Sequence, residues 1–222
     1  GTFQTSLLSV SAQAEIYLNV GDFNLDGKLD IMYEGGSIIR FGNGNGTFTA
    51  PTTLFTLPCA DNDELPARRT RLADLNRDGL LDAINECSGA GVAVAYRNPN
   101  GSFASLVVVT SFAGRIVIDD FNSDGINDLL VIKPNQSAIR YGAPNGTLLP
   151  EASATVPVNI PVGGRVWSVL SADLNFDGVK DVLVGGREFF NVLVGTTPGL
   201  FTELLNRQIG PQDGSGRGYY LE

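Results

Sequence analysis

Gly21-Asp22-Phe23-Asn24-Leu25-Asp26-Gly27-Lys28-Leu29-Asp30 sets carboxylate, amide and carboxylate at alternate positions, then a glycine and a closing aspartate. The phrase recurs from Asp74 to Asp82, from Asp120 to Asp128 and from Asp173 to Asp181. The four first aspartates lie 52, 46 and 53 residues apart. A period near 50 is too long for a β-helix rung and suits a propeller blade of four strands, which occupies about 40 to 50 residues.

Reading outward from the first copy, Glu15 to Val20 alternates as a strand, Leu29 to Tyr33 forms a second, Ser37 to Phe41 a third, and Thr47 to Leu57 holds a fourth. The acidic phrase is then the connection of the first hairpin. Arg115 to Ile118 with Asp128 to Ile132, and Arg165 to Ala172 with Asp181 to Val184, repeat the scheme. The second strands are nearly all apolar, as strands covered on both faces should be. Asn45-Gly46-Thr47, Asn100-Gly101-Ser102 and Asn145-Gly146-Thr147 mark the later hairpin turns, because both residues of Asn-Gly tolerate positive φ. These triplets, with Asn135-Gln136-Ser137, are also glycosylation sequons. The expected fold is an all-β propeller of four-stranded antiparallel blades in one domain spanning residues 1–222. Its full repeats cover about 11–57, 66–110, 114–157 and 164–209, with partial strands at 1–10 and 210–222.

Composition agrees. Glycine at 27 and proline at 11 punctuate short runs of Val, Ile, Leu and Phe. A net charge of −9 with only 15 Lys and Arg offers no basic surface for nucleic acid. No apolar run is long enough to span a bilayer, and residues 1–3 lack the features of a signal peptide, so the expectation is a soluble chain that begins after processing or within a larger protein.

The acidic phrase offers hard oxygens around one point, the chemistry that calcium takes. Its expected ligands are the side chains of Asp22, Asn24, Asp26 and Asp30 with the Lys28 carbonyl. The corresponding sets are Asp74, Asn76, Asp78, Asp82 and the Leu80 carbonyl; Asp120, Asn122, Asp124, Asp128 and the Ile126 carbonyl; and Asp173, Asn175, Asp177, Asp181 and the Val179 carbonyl. An EF-hand would need glutamate at the twelfth position, where Tyr33, Asn85, Val131 and Val184 stand. Isolated Asp-Asn-Asp-Gly phrases commonly make only solvated Asx-turns, but four copies with one spacing argue for a metal. The loops hold 12 of the 24 acids, and without them the net charge of −9 becomes +3. Four Ca2+ ions would offset that repulsion.

Histidine is absent, which removes Ser-His and Cys-His catalysis, and no Gly-x-Ser-x-Gly elbow is present. Asp61 and Glu64 are the remaining carboxylate pair for a glycan-active hydrolase or lyase, and nothing beyond charge recommends them. The expectation is therefore not an enzyme. The segment Ala60 to Arg69 is the longest and most charged connection, and Asp61, Asp63, Glu64, Arg68 and Arg69 are its candidate ligand-binding residues. Trp167 is either packing or a sugar-stacking platform. Gly42-Asn43-Gly44-Asn45-Gly46 reads as a turn, since no helix follows it to present amides to a phosphate. The sequence leaves Cys59 and Cys87 open between a disulfide and two inert thiols.

These phrases, with Phe41-Gly42 and Tyr141-Gly142-Ala143-Pro144, resemble the FG-GAP or VCBS repeats of integrin α-subunit propellers and bacterial surface proteins and lectins. The resemblance implies a propeller with calcium in the first hairpin loops of one face and ligands on the opposite face or between blades. It places Cys59 and Cys87 together on that opposite face, implying a disulfide and an oxidising setting. The implied role is a secreted or cell-surface module that binds a glycan or an extracellular protein, with structural calcium. The alternatives are a structural repeat of a surface protein or filament, and self-association that completes a propeller.

Overall fold

The computed structural model describes residues 18–33, 38–54, 69–87, 91–134, 136–150, 156–160, 164–186, 189–197 and 199–208. Among them every regular element is a strand, and no helix is long and apolar enough to cross a membrane. The first sheet takes β1 (Asn19–Gly21), β2 (Asp30–Tyr33), β3 (Ile38–Arg40) and β4 (Thr52–Thr53). The second takes β5 (Arg69–Ala73), β6 (Asp82–Cys87), β7 (Gly91–Ala95) and β8 (Val107–Val108). The third takes β9 (Arg115–Asp119), β10 (Asp128–Lys133) and β11 (Gln136–Arg140), and the fourth β12 (Val166–Ala172), β13 (Asp181–Gly186), β14 (Phe189–Thr197) and β15 (Leu200–Gln208). Each sheet is an antiparallel meander in chain order.

Four-stranded sheets were expected throughout, and the third departs from that, pairing three strands among the described residues. Val156 to Ile160 runs irregularly where a fourth strand would lie, and Pro157 within it has no amide to give to a ladder. Side chains hold it instead: the Ser137 hydroxyl donates to the Val156 carbonyl at 3.0 Å, and the Asn191 amide donates to the Asn159 carbonyl at 2.9 Å. Val156 and Ile160 are still buried against the core. Residues 1–10 and 210–222, read as partial strands, lie outside the described residues.

The expected turn chemistry is present. Asn45, Asn100 and Asn145 each accept the backbone amide and the hydroxyl of the residue two places on, at 2.7 to 3.2 Å. The intervening Gly46, Gly101 and Gly146 take φ of 79° to 85°, where a side chain would be strained.

Alternation decides how the sheets stack. After the aspartate that opens each second strand, the first and third residues face the preceding sheet, and the second faces the following one. Thus Ile84 and Val94 of the second sheet meet Leu129, Val131 and Ala138 of the third, while Leu130 and Ile139 of the third meet Val182, Val184 and Leu193 of the fourth. Met32 and Ile39 of the first sheet form a smaller cluster with Leu72 and Phe103 of the second. The core is therefore three inter-sheet layers.

One buried ion pair ties three sheets. The Arg115 guanidinium donates to Glu86 Oε2 at 2.6 Å, with both side chains 1% exposed, and its Nε–H donates to the Val166 carbonyl at 3.2 Å. The Ile116 amide donates to the other Glu86 oxygen at 3.2 Å. Glu86 is the last residue but one of β6, Arg115 opens β9 and Val166 opens β12, so the knot sits at the end of the sheets away from the acidic loops.

Candidate functional site

The four acidic loops have one conformation. In each, the first aspartate accepts the amides of the fifth and sixth residues, for example Asp26 N to Asp22 Oδ1 at 3.1 Å and Gly27 N to Asp22 Oδ2 at 2.7 Å. The fifth-residue amide is shared with the asparagine Oδ1 at 3.0 to 3.1 Å in all four loops. The fifth-position aspartate in turn accepts the seventh amide at 2.8 to 2.9 Å. Two side-chain oxygens within hydrogen-bond reach of one amide are forced toward each other. Asp, Asn and Asp therefore converge on the inside of the loop, in the second, third and fourth copies as in the first.

That turn demands left-handed backbone. Leu25, Arg77, Ser123 and Phe176 hold φ of 59° to 61°, and Gly27, Gly79, Gly125 and Gly178 hold 79° to 86°. An L-residue in this region is strained by about 1–2 kcal/mol, which Asn tolerates better than Phe. Phe176 is 92% exposed, so no packing offsets its strain. Phe176→Asn should raise the unfolding free energy by about 0.5–1 kcal/mol, read by chemical denaturation.

The closing aspartates, expected as fourth ligands, have a second occupation. Asp30, Asp82, Asp128 and Asp181 are fully buried. One oxygen of each accepts the amide of the second loop residue, Phe23, Leu75, Phe121 or Leu174, at 2.7 to 2.9 Å. The other accepts the amide of Gly42, Arg97, Gly142 or Gly195 at 2.8 to 2.9 Å. Each closing carboxylate thus brackets its acidic loop to the backbone near the end of the third strand of the same sheet. Burial pushes Asp128 up to about 6 despite amides from Gly142, Phe121 and Asn122 that favour its charge, and Asp124 adds to the rise. Burial also raises Asp82, with Asp78 and Asp74 adding to it. Among the described residues no three acidic, histidine or cysteine side chains converge as a cluster. The reason lies in this division of labour: two aspartates of each loop face its interior, and the third faces the sheet.

The donor set fits a hard cation. Each loop turns two carboxylates and one amide oxygen inward, and among the described residues no histidine or cysteine joins them in a cluster. The bracketing carboxylates retain lone pairs beyond the two that their amides use. In the first loop the Lys28 ammonium also lies 3.2 Å from Asp26 Oδ2, a pairing that the apolar Leu80, Ile126 and Val179 cannot make.

The other candidates are placed less fully. Asp61, Asp63, Glu64 and Arg68 lie outside the described residues, as does Cys59, so the Cys59–Cys87 pairing does too. Arg69 opens β5 opposite Glu86, and Trp167, half-buried, sits at a bulge where β12 pairs with β13. A groove of ≈ 300 Å³ between β5, β9 and β12 is lined by Arg71, Val117, Asn127 and Leu170 among others.

Sequence reasoning missed Arg97. It stands where three other sheets have glycine, and its guanidinium lies 5.3 Å from the Phe103 ring centre and 5.9 Å from that of Phe23. The signal was available in Tyr96-Arg97 against Tyr141-Gly142.

The FG-GAP-like repeat matches residues 22–85 and 120–184, more than half of the chain. The chain belongs to the FG-GAP-like repeat family. Each matched stretch begins at the first aspartate of one acidic loop and ends just past the closing aspartate of the next. Among solved structures the FG-GAP-like chain is similar to a lectin of Agrocybe aegerita described as specifically recognising non-reducing terminal N-acetylglucosamine. The TM-score is 0.63 at 22% identity, covering 88% of this chain and 53% of the lectin. The likeness shows a shared fold, and this chain spans about half the lectin's length. The Photorhabdus luminescens Tc holotoxin pore also matches, at 19% identity and a TM-score of 0.47, over 92% of this chain and 10% of that one. No curated protein matches.

Proposed function

We propose that this FG-GAP-like chain is part of an extracellular β-propeller that binds a glycan or a protein ligand, with calcium held structurally in its four acidic loops. The observation that carries the reading is the fourfold identity of those loops: the same inward oxygens, the same shared amide and the same left-handed residue at each tip. A solvated turn has no reason to keep a strained, like-charged arrangement four times. Bound calcium supplies positive charge between the carboxylates. Asp22, Asn24 and Asp26, with their counterparts, would hold it, while the bracketing aspartates fix the loops to the sheets whether or not an ion is present.

The acidic loops are local to single hairpins, so the reading assigns them to the scaffold rather than to catalysis. Ligand recognition then falls to the loops at the opposite ends of the sheets. The fold likeness to a lectin supports a glycan as the first ligand to test.

Titrating metal-free protein calorimetrically should reveal calcium uptake at four sites, and Asp26→Ala should leave three. Chelation should lower the melting temperature, because an ion that binds only the folded state stabilises it by about 2.7 kcal/mol per site at a hundredfold excess over Kd. An absence of heat and of any thermal shift would sink the calcium reading. A glycan array including terminal N-acetylglucosamine, read with and without chelator, tests the ligand class separately.

A further inference from the structure

The eighth residue of an acidic loop, just before the closing aspartate, takes no part in the turn described above. In the third loop it is Asn127, half-buried, and its side-chain amide crosses to the neighbouring sheet and donates to the Asp74 carbonyl at 2.9 Å. Asp74 is the first residue of the second loop, and its carboxylate accepts the Asp78 and Gly79 amides at 3.2 and 2.9 Å. Asn127 itself stands between Ile126, whose amide donates to Asp124 at 2.8 Å, and the bracketing Asp128. The two loops also approach at their tips, where Arg77 Nη2 lies 4.0 Å from the point that a Cβ on Gly125 would occupy. In the fourth loop the eighth residue is Lys180. It too reaches back one sheet, to Asp119 at 3.1 Å, the residue before the first aspartate of the third loop. In the second loop it is Leu81, 41% exposed, whose apolar side chain can give no such bond to the first loop.

We propose that Asn127 is a positioning residue that couples the calcium sites of the second and third loops. The coupling rests on calcium being held in the acidic loops. With calcium bound, Asp120, Asn122 and Asp124 are held together and the backbone that carries Asn127 is fixed. Asn127 in turn fixes the Asp74 backbone, and with it the direction of the second loop's first carboxylate. Occupancy of either loop therefore raises the affinity of the other, by the same factor in both directions. One hydrogen bond carries the effect and bounds it at about two- to tenfold in affinity. The first loop, to which Leu81 offers no tie, is the internal control.

Calcium titrations followed through the backbone amide resonances of Gly27, Gly79 and Gly125 give one reporter per loop, since each of these amides donates to the first aspartate of its own loop at 2.7 to 2.9 Å. Asp124→Ala, which removes a ligand of the third site, should raise the midpoint at Gly79 about two- to tenfold and leave that at Gly27 unchanged. In an Asn127→Leu background the same substitution should no longer move Gly79. A bond that only braces the fold would shift the Gly79 midpoint in Asn127→Leu and leave its dependence on Asp124 intact, which overturns the proposal. So does a Gly79 midpoint that ignores Asp124→Ala in the otherwise unaltered chain, or one that moves together with Gly27. Resonances that respond to calcium independently of one another defeat the coupling alone, whereas three resonances that ignore calcium defeat the calcium reading and the coupling with it.

Discussion

Arg115→Met should lower the unfolding free energy by about 3–5 kcal/mol, the usual consequence of leaving the partner of a buried ion pair alone. Glu86 would keep one hydrogen bond, from the Ile116 amide at 3.2 Å, and would lose the 2.6 Å contact that neutralises it at 1% exposure. The Val166 carbonyl would also lose its donor. For a chain of this size each kcal/mol moves the melting temperature by roughly 2–4 °C, so calorimetry should show a fall of about 6–20 °C. The double variant Glu86→Leu with Arg115→Met should be less damaged than Arg115→Met, since removing both charges removes the uncompensated one. It should not recover fully, because the Ile116 amide stays without an acceptor. A loss below about 1 kcal/mol in the single variant would mean that water or movement of Glu86 relieves the charge, and the pair would no longer count as the knot between the sheets.

That knot shows where the sequence could be read and where it could not. The hairpins and turns are local, and their rules are local: apolar runs after each acidic loop fixed β2, β10 and β13 to within a residue or two at their starts, and Asn-Gly fixed the later turns. Glu86 and Arg115 lie 29 residues apart in strands that otherwise read as apolar, and nothing nearby in sequence distinguishes a charge buried by a neighbouring sheet from one at a strand end. The third sheet was misjudged for a related reason. Val156 to Ile160 has a strand's apolar residues, but Pro157 denies it a ladder bond and side chains of other elements fasten it.

The acidic loops were legible as loops, whereas the closing aspartates were legible only in part. Spacing alone cannot tell a carboxylate that faces a metal from one that faces the sheet, because both roles require the same residue at the same distance from the glycine. In the structure each closing aspartate accepts backbone amides from its loop and from the far side of its sheet, and its share in holding a cation can be measured.

Asp128→Ala should cost about 2–4 kcal/mol, since three amides, from Phe121, Asn122 and Gly142, lose their acceptor, and a buried donor left unpaired costs about 1–3 kcal/mol. The estimate sits below the sum of three such costs because removing the aspartate also removes the expense of burying its charge, visible in its raised pKa. Asp128→Asn should fall between, keeping one acceptor oxygen while turning an amino group toward the other backbone donor. Asp124, exposed at the loop's interior, makes the comparison decisive. If Asp124 serves the ion and Asp128 the bracket, then Asp124→Ala should lose more stability with calcium than in chelator, where only its hydrogen bonds to Ile126 and Asn122 go, and Asp128→Ala should show most of its loss in chelator as well. Denaturation curves of both variants with calcium and with chelator give the four numbers needed. Equal dependence of the two variants on calcium would return the closing aspartate to the ligand set as its main role.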